Sequence, residues 1–239
     1  MKKSIFNLLG LAVFMAAFTS CQKIVLDAGT LTEEVRELNA EFSEIEISGS
    51  IDLLINQEDS EDGLRIEAGE KLLEHIETFV QDGTLFIDLE ATDISTRGIK
   101  RAYVNQSFID KVTMIGSGDV EADELICSSF ELEMKGSGDA DIEFDEINNL
   151  DISMDGSGDA EVKGESESLD LAILGSGDCN SRLFEVNNAI VNVNGSGDVE
   201  VFASQELLIN INGSGDVDYW GEPETTDFNV NGSGDITGH

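Results

Sequence analysis

Residues 130–144 read Phe-Glu-Leu-Glu-Met-Lys-Gly-Ser-Gly-Asp-Ala-Asp-Ile-Glu-Phe. Phe130, Leu132 and Met134 alternate with charged residues, and Ala140, Ile142 and Phe144 resume the alternation after Gly-Ser-Gly-Asp. A period of two is that of a strand with one face buried and one face in water. No i, i+3, i+4 pattern runs through the segment, and glycine recurs too often for a helix. Gly136 and Gly138 share the parity of the apolar residues. They therefore point inward at a corner, where a Cβ would crowd the coil axis or forbid the turn. Ser137 and Asp139 take the opposite parity and face water.

The same tetrapeptide begins at residues 116, 136, 156, 175, 195, 213 and 232. A near-constant period of roughly 19 residues is that of a solenoid. Leu150, Ile152 and Met154, then Leu169, Leu171 and Ile173, then Ile209 and Ile211 alternate before their motifs, and Val199 with Val201 and Val217 with Tyr219 alternate after theirs. One such repeat cannot bury its apolar face alone, but parallel stacking buries it, each strand ~4.8 Å above its predecessor. The expected fold is all-β: a narrow parallel β-solenoid, or single-stranded β-helix, with two short strands per ~19-residue coil. The general crossover rule makes it right-handed. A β-sandwich is the alternative, but its hairpins would not need the same turn sequence at every second strand.

Residues 41–115 follow this grammar less strictly, before the regular coils of 116–239. Gly49-Ser50-Ile51-Asp52 is a degenerate copy of the motif; Ile45, Ile47, Leu53 and Ile55 alternate around it, and Leu85, Ile87 and Leu89 follow an Asp82-Gly83 turn. Glu70 to Ile76 fits one helical turn at a coil end. Read as irregular coils continuous with the regular ones, the segment brings the total to about nine or ten coils. A separate small β domain is the weaker reading.

Residues 1–20 are an address. Lys2 and Lys3 precede an apolar run from Ile5 to Phe18, and Thr19 and Ser20 lead into Cys21. A basic start, a run too short to span a bilayer and small residues at the end make a secretory signal. Phe18-Thr19-Ser20-Cys21 resembles the lipobox of bacterial lipoproteins, which implies cleavage before Cys21 and a lipid on its thiol. Gln22, rather than Asp, follows, and the sorting rule of such lipoproteins then implies the outer membrane. Residues 21–40 read as the lipidated cysteine and a tether, and 41–239 as the solenoid.

The chain has 239 residues, with 50 acidic against 13 basic and a formal net charge of −37. Removing residues 1–20 deletes two lysines and no acid, which takes the charge to −39. Such a body is repelled by phosphate backbones, so nucleic acid is excluded as a natural partner. Three cysteines make no disulfide scaffold, and His75 and His239 leave little material for a histidine-based site. Cys127 and Cys179 fall three coils apart, ~14 Å by strand spacing and beyond the ~7 Å limit of a disulfide, so two buried free thiols are expected.

A secretion signal, the opening Phe-Ser-Glu-Ile-Glu-Ile-Ser-Gly-Ser at 42–50 and serial Gly-Ser-Gly-Asp motifs together resemble the head GIN domain proteins, the putative auto-transporter adhesins common as lipoproteins of Bacteroidetes-type bacteria. The resemblance covers roughly residues 40–237. It implies a β-solenoid in the cell envelope and carries no catalytic residues to transfer.

Stacking puts the motif aspartates in one column and the residues two further on in a second. Asp119 with Glu121, Asp139 with Asp141, Asp159 with Glu161, Asp198 with Glu200 and Asp216 with Asp218 are the resulting carboxylate pairs. Carboxylates so close repel unless something offsets them. Calcium would do so, since it takes six to eight oxygen ligands. The favoured reading instead gives each Asp the backbone N–H groups of its own turn, as an Asx-type cap. No cofactor is otherwise called for. Four residues after the motif aspartates, Arg182, Phe202 and Trp220 form a candidate ligand patch, a cation and two aromatics on adjacent coils. Asn192/Asn194, Asn210/Asn212 and Asn229/Asn231 fall in register as amide ladders. Arg97, Lys100, Arg101 and Lys111 read as a salt-bridging face.

Repetition argues against a catalytic centre, because a catalytic site breaks a repeat where it sits. The leading expectation is a non-enzymatic envelope lipoprotein, held to the membrane by lipid on Cys21, whose solenoid is a structural or adhesion surface for an envelope protein or glycan. A calcium-binding acidic surface protein and a polysaccharide-active β-helix enzyme are the alternatives. The last coil leaves an open edge that a second copy of the chain could pair with.

Overall fold

A computed structural model describes residues 27–57, 63–90 and 97–239. The signal, Cys21 and the residues just after it lie outside these. The alternation read from the sequence becomes strand wherever it is strict, and the inward parity is the core. Ile142, Leu150, Ile152, Leu171, Val191, Ile209 and Ile211 are all buried, while the residues between them face water.

The regular coils are built from long strands. β10 (Ser129–Gly136), β11 (Ala140–Gly156), β12 (Ala160–Gly175), β13 (Cys179–Gly195) and β14 (Val199–Gly213) pair in parallel, each with the next. β15 (Val217–Trp220) and β16 (Thr225–Gly232) lie on the two halves of β14, and β17 (Ile236–Gly238) follows on β15. Gly136, Gly156, Gly175, Gly195, Gly213 and Gly232 pair down the stack without slippage. In β11 to β14 the expected two short strands are joined into one long strand folded in two, while β9 (Val120–Leu125) and β10, and β15 and β16, stay separate short strands. Within the long strands the second corner is a register shift, as between Glu143 and Glu146, which bends the strand and redirects its face.

The folded halves close on an aromatic cluster. Phe130 meets Phe144 edge-on with ring centres 5.3 Å apart, and Phe144 reaches Phe184 at 5.9 Å although these two lie two coils apart. Gly164, aligned with Phe184 in the register, brings no side chain between them, which leaves room for the two rings to meet.

Residues 41–115 share the fold but depart from sequence order. β2 (Glu44–Gly49) and β3 (Asp52–Asn56) form one coil, and β8 (Lys111–Gly116) and β9 (Val120–Leu125) stack directly on it. The coil of β6 (Thr84–Leu89) and β7 (Arg101–Asn105) comes between them in sequence, yet it lies on the opposite side of β2 and β3. The expectation of coils in simple succession is corrected accordingly. Six full turns run from Gly116 to Gly232, and the coils before them are inserted out of order.

Antiparallel strands cover the N-terminal end. β4 (Gly63–Gly69) runs antiparallel to β7, and β1 (Leu31–Arg36) antiparallel to β4. On the other sheet half, β5 (Ile76–Gln81) and β6 make a hairpin. Its two-residue turn puts both Asp82 (φ 52°) and Gly83 (φ 87°) in the left-handed region, the geometry that matches strand twist. A single 3₁₀ turn at Leu73–His75 precedes it, inside the stretch expected to hold one. The segment expected to tether the fold is partly built into it: Ala28 is buried, and its carbonyl accepts the Lys71 N–H at 2.9 Å.

Candidate functional site

The corner glycines set the geometry of the acidic column. A Cβ added at either glycine of any motif would lie 1.9–2.1 Å from a backbone carbonyl oxygen of the preceding coil. The first glycine of the motif also holds a positive φ, +142° at Gly136. The absent side chains therefore point along the stack rather than inward, which corrects the expected direction, while the positive φ of the first glycine agrees with the expectation that a Cβ would forbid the turn. What the glycines permit is close backbone approach. Each motif Ser donates its N–H to the first-glycine carbonyl one coil back, as Ser137 does to Gly116 at 2.8 Å.

That approach brings consecutive aspartates together. The N–H of Asp139 donates to Asp119 Oδ1 at 2.9 Å, Asp159 to Asp139 at 2.9 Å, and Asp178 to Asp159 at 2.9 Å. Asp198, Asp216 and Asp235 continue the chain at 2.8 Å each. At the other end the N–H of Asp119 points to Asp52 Oδ1 at 3.4 Å, so Gly49-Ser50-Ile51-Asp52 is a working copy of the motif. Each carboxylate thus caps its neighbour's turn, not its own. Hydrogen bonds to an ionised acceptor are among the stronger ones, and here they offset the repulsion within the column.

The ten candidate cation ligands line one shallow groove of about 830 Å³ along this face. In its outer row Glu121 stands opposite Asp141, Asp141 opposite Glu161, and Glu200 opposite Asp218. Lys163 enters from the rim, with Nζ 3.2 Å from Asp141 Oδ1 and 3.0 Å from Glu161 Oε1. Contact with Glu161, and then with Asp141, raises the ammonium's pKa. The chain's own cation therefore bridges the outer carboxylates of two neighbouring pairs. Among the described residues, no group of three or more His, Cys, Asp or Glu side chains is arranged to hold a metal ion. The outward parity of Lys163, two residues after Glu161, is the sequence signal that places it on this face.

Arg182 and Trp220 do meet. The guanidinium carbon lies 4.3 Å from the indole centre. His239 stacks on the same indole at 4.6 Å with a 12° interplanar angle, and its Nε2 is 3.0 Å from Asp218 Oδ1. Arg182 comes from the coil side of Trp220 and His239 from the C-terminal side. Phe202 pairs with Trp220 in register but stands opposite Glu185 on its other side, because the register slips between Ser181 and Glu185. Arg182, Phe202 and Trp220 are therefore neighbours without forming one straight stack.

The amide ladder Asn194–Asn212–Asn231 forms, Asn212 donating to Asn194 at 3.1 Å and Asn231 to Asn212 at 3.3 Å; in the other, Asn210 donates to Asn192 at 3.1 Å and Asn229 only stands in register with Asn210. Cys127 and Cys179 are buried free thiols, and burial pushes their pKa values up to about 11 and about 12. Thiols so held are poor nucleophiles. The basic residues divide between the two sheet halves. Lys111 binds Glu131 and Glu133, both at 2.8 Å, while Lys100 is buried on the opposite half with Nζ 3.2 Å from the Gly98 carbonyl.

The fold and this face define a class: a parallel β-solenoid whose corners are joined by glycine approach and aspartate hydrogen bonds, presenting a periodic acidic surface. The chain belongs to the family described as putative auto-transporter adhesin, head GIN domain, whose model matches residues 41–223. Among solved structures it is similar to a putative adhesin from Bacteroides fragilis, 20% identical, with a TM-score of 0.80 over 90% of this chain and 100% of that one. A putative lipid binding protein from Parabacteroides distasonis is 24% identical, with a TM-score of 0.72 over 90% of this chain and 99% of that one. A putative adhesin from Parabacteroides merdae is 19% identical, with a TM-score of 0.65 over 90% and 98%. At these identities the likeness is one of fold. No curated protein sequence matches the chain. Among the described residues no helix is long and apolar enough to cross a membrane.

Proposed function

We propose that this chain is a non-enzymatic outer-membrane lipoprotein, anchored through lipid on Cys21, whose solenoid is a rigid adhesion surface in the cell envelope. The observation that carries the reading is the uniformity of the acidic face. Six successive motif carboxylates are each engaged by the next coil, and no coil singles out a side chain for chemistry. A catalytic or cation-binding centre needs the opposite, a local break in the repeat. The adhesin family and the Cys21 motif support the envelope setting.

The test compares cells carrying the chain, cells lacking it and cells carrying Cys21→Ser. Lipid labelling of the wild-type chain is expected, with release of Cys21→Ser from the membrane fraction. Retention of cells on immobilised glycoprotein and on layers of neighbouring cells is expected to fall when the chain is removed. Turnover of a polysaccharide by the purified chain, or retention indifferent to its removal, refutes the adhesion reading.

A further inference from the structure

The coil-to-coil contact is repeated six times, so its requirements are explicit. An arriving corner donates its Ser N–H to the first-glycine carbonyl below and its Asp N–H to the carboxylate below, at 2.8–2.9 Å in every case. It also accepts, on its Asp carbonyl, the N–H of the residue following the Asp below, again at 2.8–2.9 Å. Any Cβ on the arriving corner at either glycine position would fall within 1.9–2.1 Å of a carbonyl oxygen.

In the last coil the Gly232 carbonyl, the Asp235 carboxylate and the Ile236 N–H hold these same three positions. Among the described residues β16 pairs only with β14, and β17 only with β15. Phe228 and Val230 have the inward parity, yet they are 39% and 42% exposed, whereas Ile209 and Ile211 one coil below are fully covered. Among the described residues, the edge therefore combines unpaired strand, an uncovered apolar strip and a steric filter that admits only glycine at two positions.

We propose that the β16–β17 edge binds an extended segment of another protein that carries Gly-Xaa-Gly-Asp, added in parallel as one further coil. Strand addition of this kind takes its affinity from main-chain hydrogen bonds and its selectivity from side-chain fit. Here the selectivity is for absent side chains. A second copy of this chain is a poor occupant. The Ser and Asp amides of its seven motifs already donate within its own stack. The proposal gives the adhesion reading a partner chemistry and rests on that reading only for its cellular setting.

The probe is a labelled synthetic peptide with the sequence of residues 225–238, Thr-Thr-Asp-Phe-Asn-Val-Asn-Gly-Ser-Gly-Asp-Ile-Thr-Gly. Its binding to the full chain is measured by anisotropy and by the emission of Trp220, the one tryptophan, which stacks on His239 beside the edge. Saturable one-to-one binding is expected, at least tenfold weaker for a peptide carrying Gly232→Ala and Gly234→Ala. Asp235→Ala in the protein is expected to weaken binding several-fold with its melting curve unchanged. Equal binding of the two peptides, no binding of either, or self-association of the chain through this edge in sedimentation overturns the proposal. None of these results depends on lipid at Cys21, so the proposal and the envelope reading fail separately.

Discussion

The Asp159 carboxylate accepts the main-chain N–H of Asp178, nineteen residues on and one coil away, at 2.9 Å. The residue that gives the motif its charge is thus the residue that joins one coil to the next. Just before each aspartate, the carbonyl of Gly156 takes the Ser176 N–H at 2.9 Å, and just after, the Ala160 N–H donates to the Asp178 carbonyl at 2.9 Å, so each corner is held at three points. With all three repeated at every corner, the register cannot slip at one coil without breaking contacts at its neighbours.

The first prediction follows from position in the column. Asp159→Ala removes the acceptor of the next coil's turn and is expected to cost about 1–3 kcal/mol in a denaturant melt. Asp159→Asn keeps an acceptor oxygen and relieves like charge, so it should lie within about 1 kcal/mol of wild type. Asp235→Ala has no further coil to hold among the described residues and should cost close to nothing. Equal losses at Asp159 and Asp235 would mean that the carboxylates do not hold the next coil.

Glycine substitutions distinguish close approach from backbone conformation. A Cβ at Gly138 would lie 1.9 Å from the Gly118 carbonyl oxygen, while one at Gly83 (φ +87°) meets nothing within 4 Å. Gly83→Ala suffers only the strain of its left-handed backbone, about 1–2 kcal/mol. Gly138→Ala must force adjacent coils apart and is expected to lose upward of ~3 kcal/mol. Thermal melts of the two variants side by side decide between a stack built on approach and one built on turn geometry alone.

The regular half of this architecture was legible because one signal was written seven times, and parity did the rest. Other features were hidden for physical reasons. A carboxylate capping its own turn and one capping the turn above need the same residue at the same place, so sequence could not distinguish Asp159 serving Asp159's corner from Asp159 serving Asp178. β1 escaped notice because its apolar residues Leu31 and Val35 are exposed, at 46% and 74%, and so give no burial pattern. The order of the early coils was equally silent. Alternation in Leu85 and Ile87 fixes which face they bury, not which side of β2 they occupy. Of the acidic face, the columns themselves were readable; the Lys163 intrusion depended on a side-chain reach that spacing does not encode.

Calcium is expected to leave the chain indifferent. The inner oxygens of the motif carboxylates already accept N–H groups, and the ammonium of Lys163 holds Asp141 and Glu161. A ligand that binds only the folded state must raise its melting point. Melts in millimolar calcium and in chelator should therefore agree within about 1 °C. A rise of several degrees that disappears in Asp139→Asn would make the groove a cation site.

The strongest test of an ion pair in this chain lies on the opposite sheet half, at Glu133. Lys111 donates to it at 2.8 Å and Lys135 at 2.5 Å. Contact with Lys111, then Lys135, lowers the carboxyl's pKa to about 2, and the Lys111 ammonium is raised in return by Glu131 and Glu133. A carboxylate depressed in the folded state stabilises the fold at every pH above its unfolded value, near ~4.3, and that contribution is lost as pH falls toward 2. Glu133→Gln should accordingly melt below wild type at pH 7, with a gap that narrows between about pH 4.5 and pH 2 and closes below it. The other acids titrate in both proteins, so the difference between the two curves isolates Glu133 from the general relief of repulsion on acidification. A gap that stays constant down to pH 2 would assign the loss to packing, and the charge at this position would then contribute nothing to holding β8 against β10.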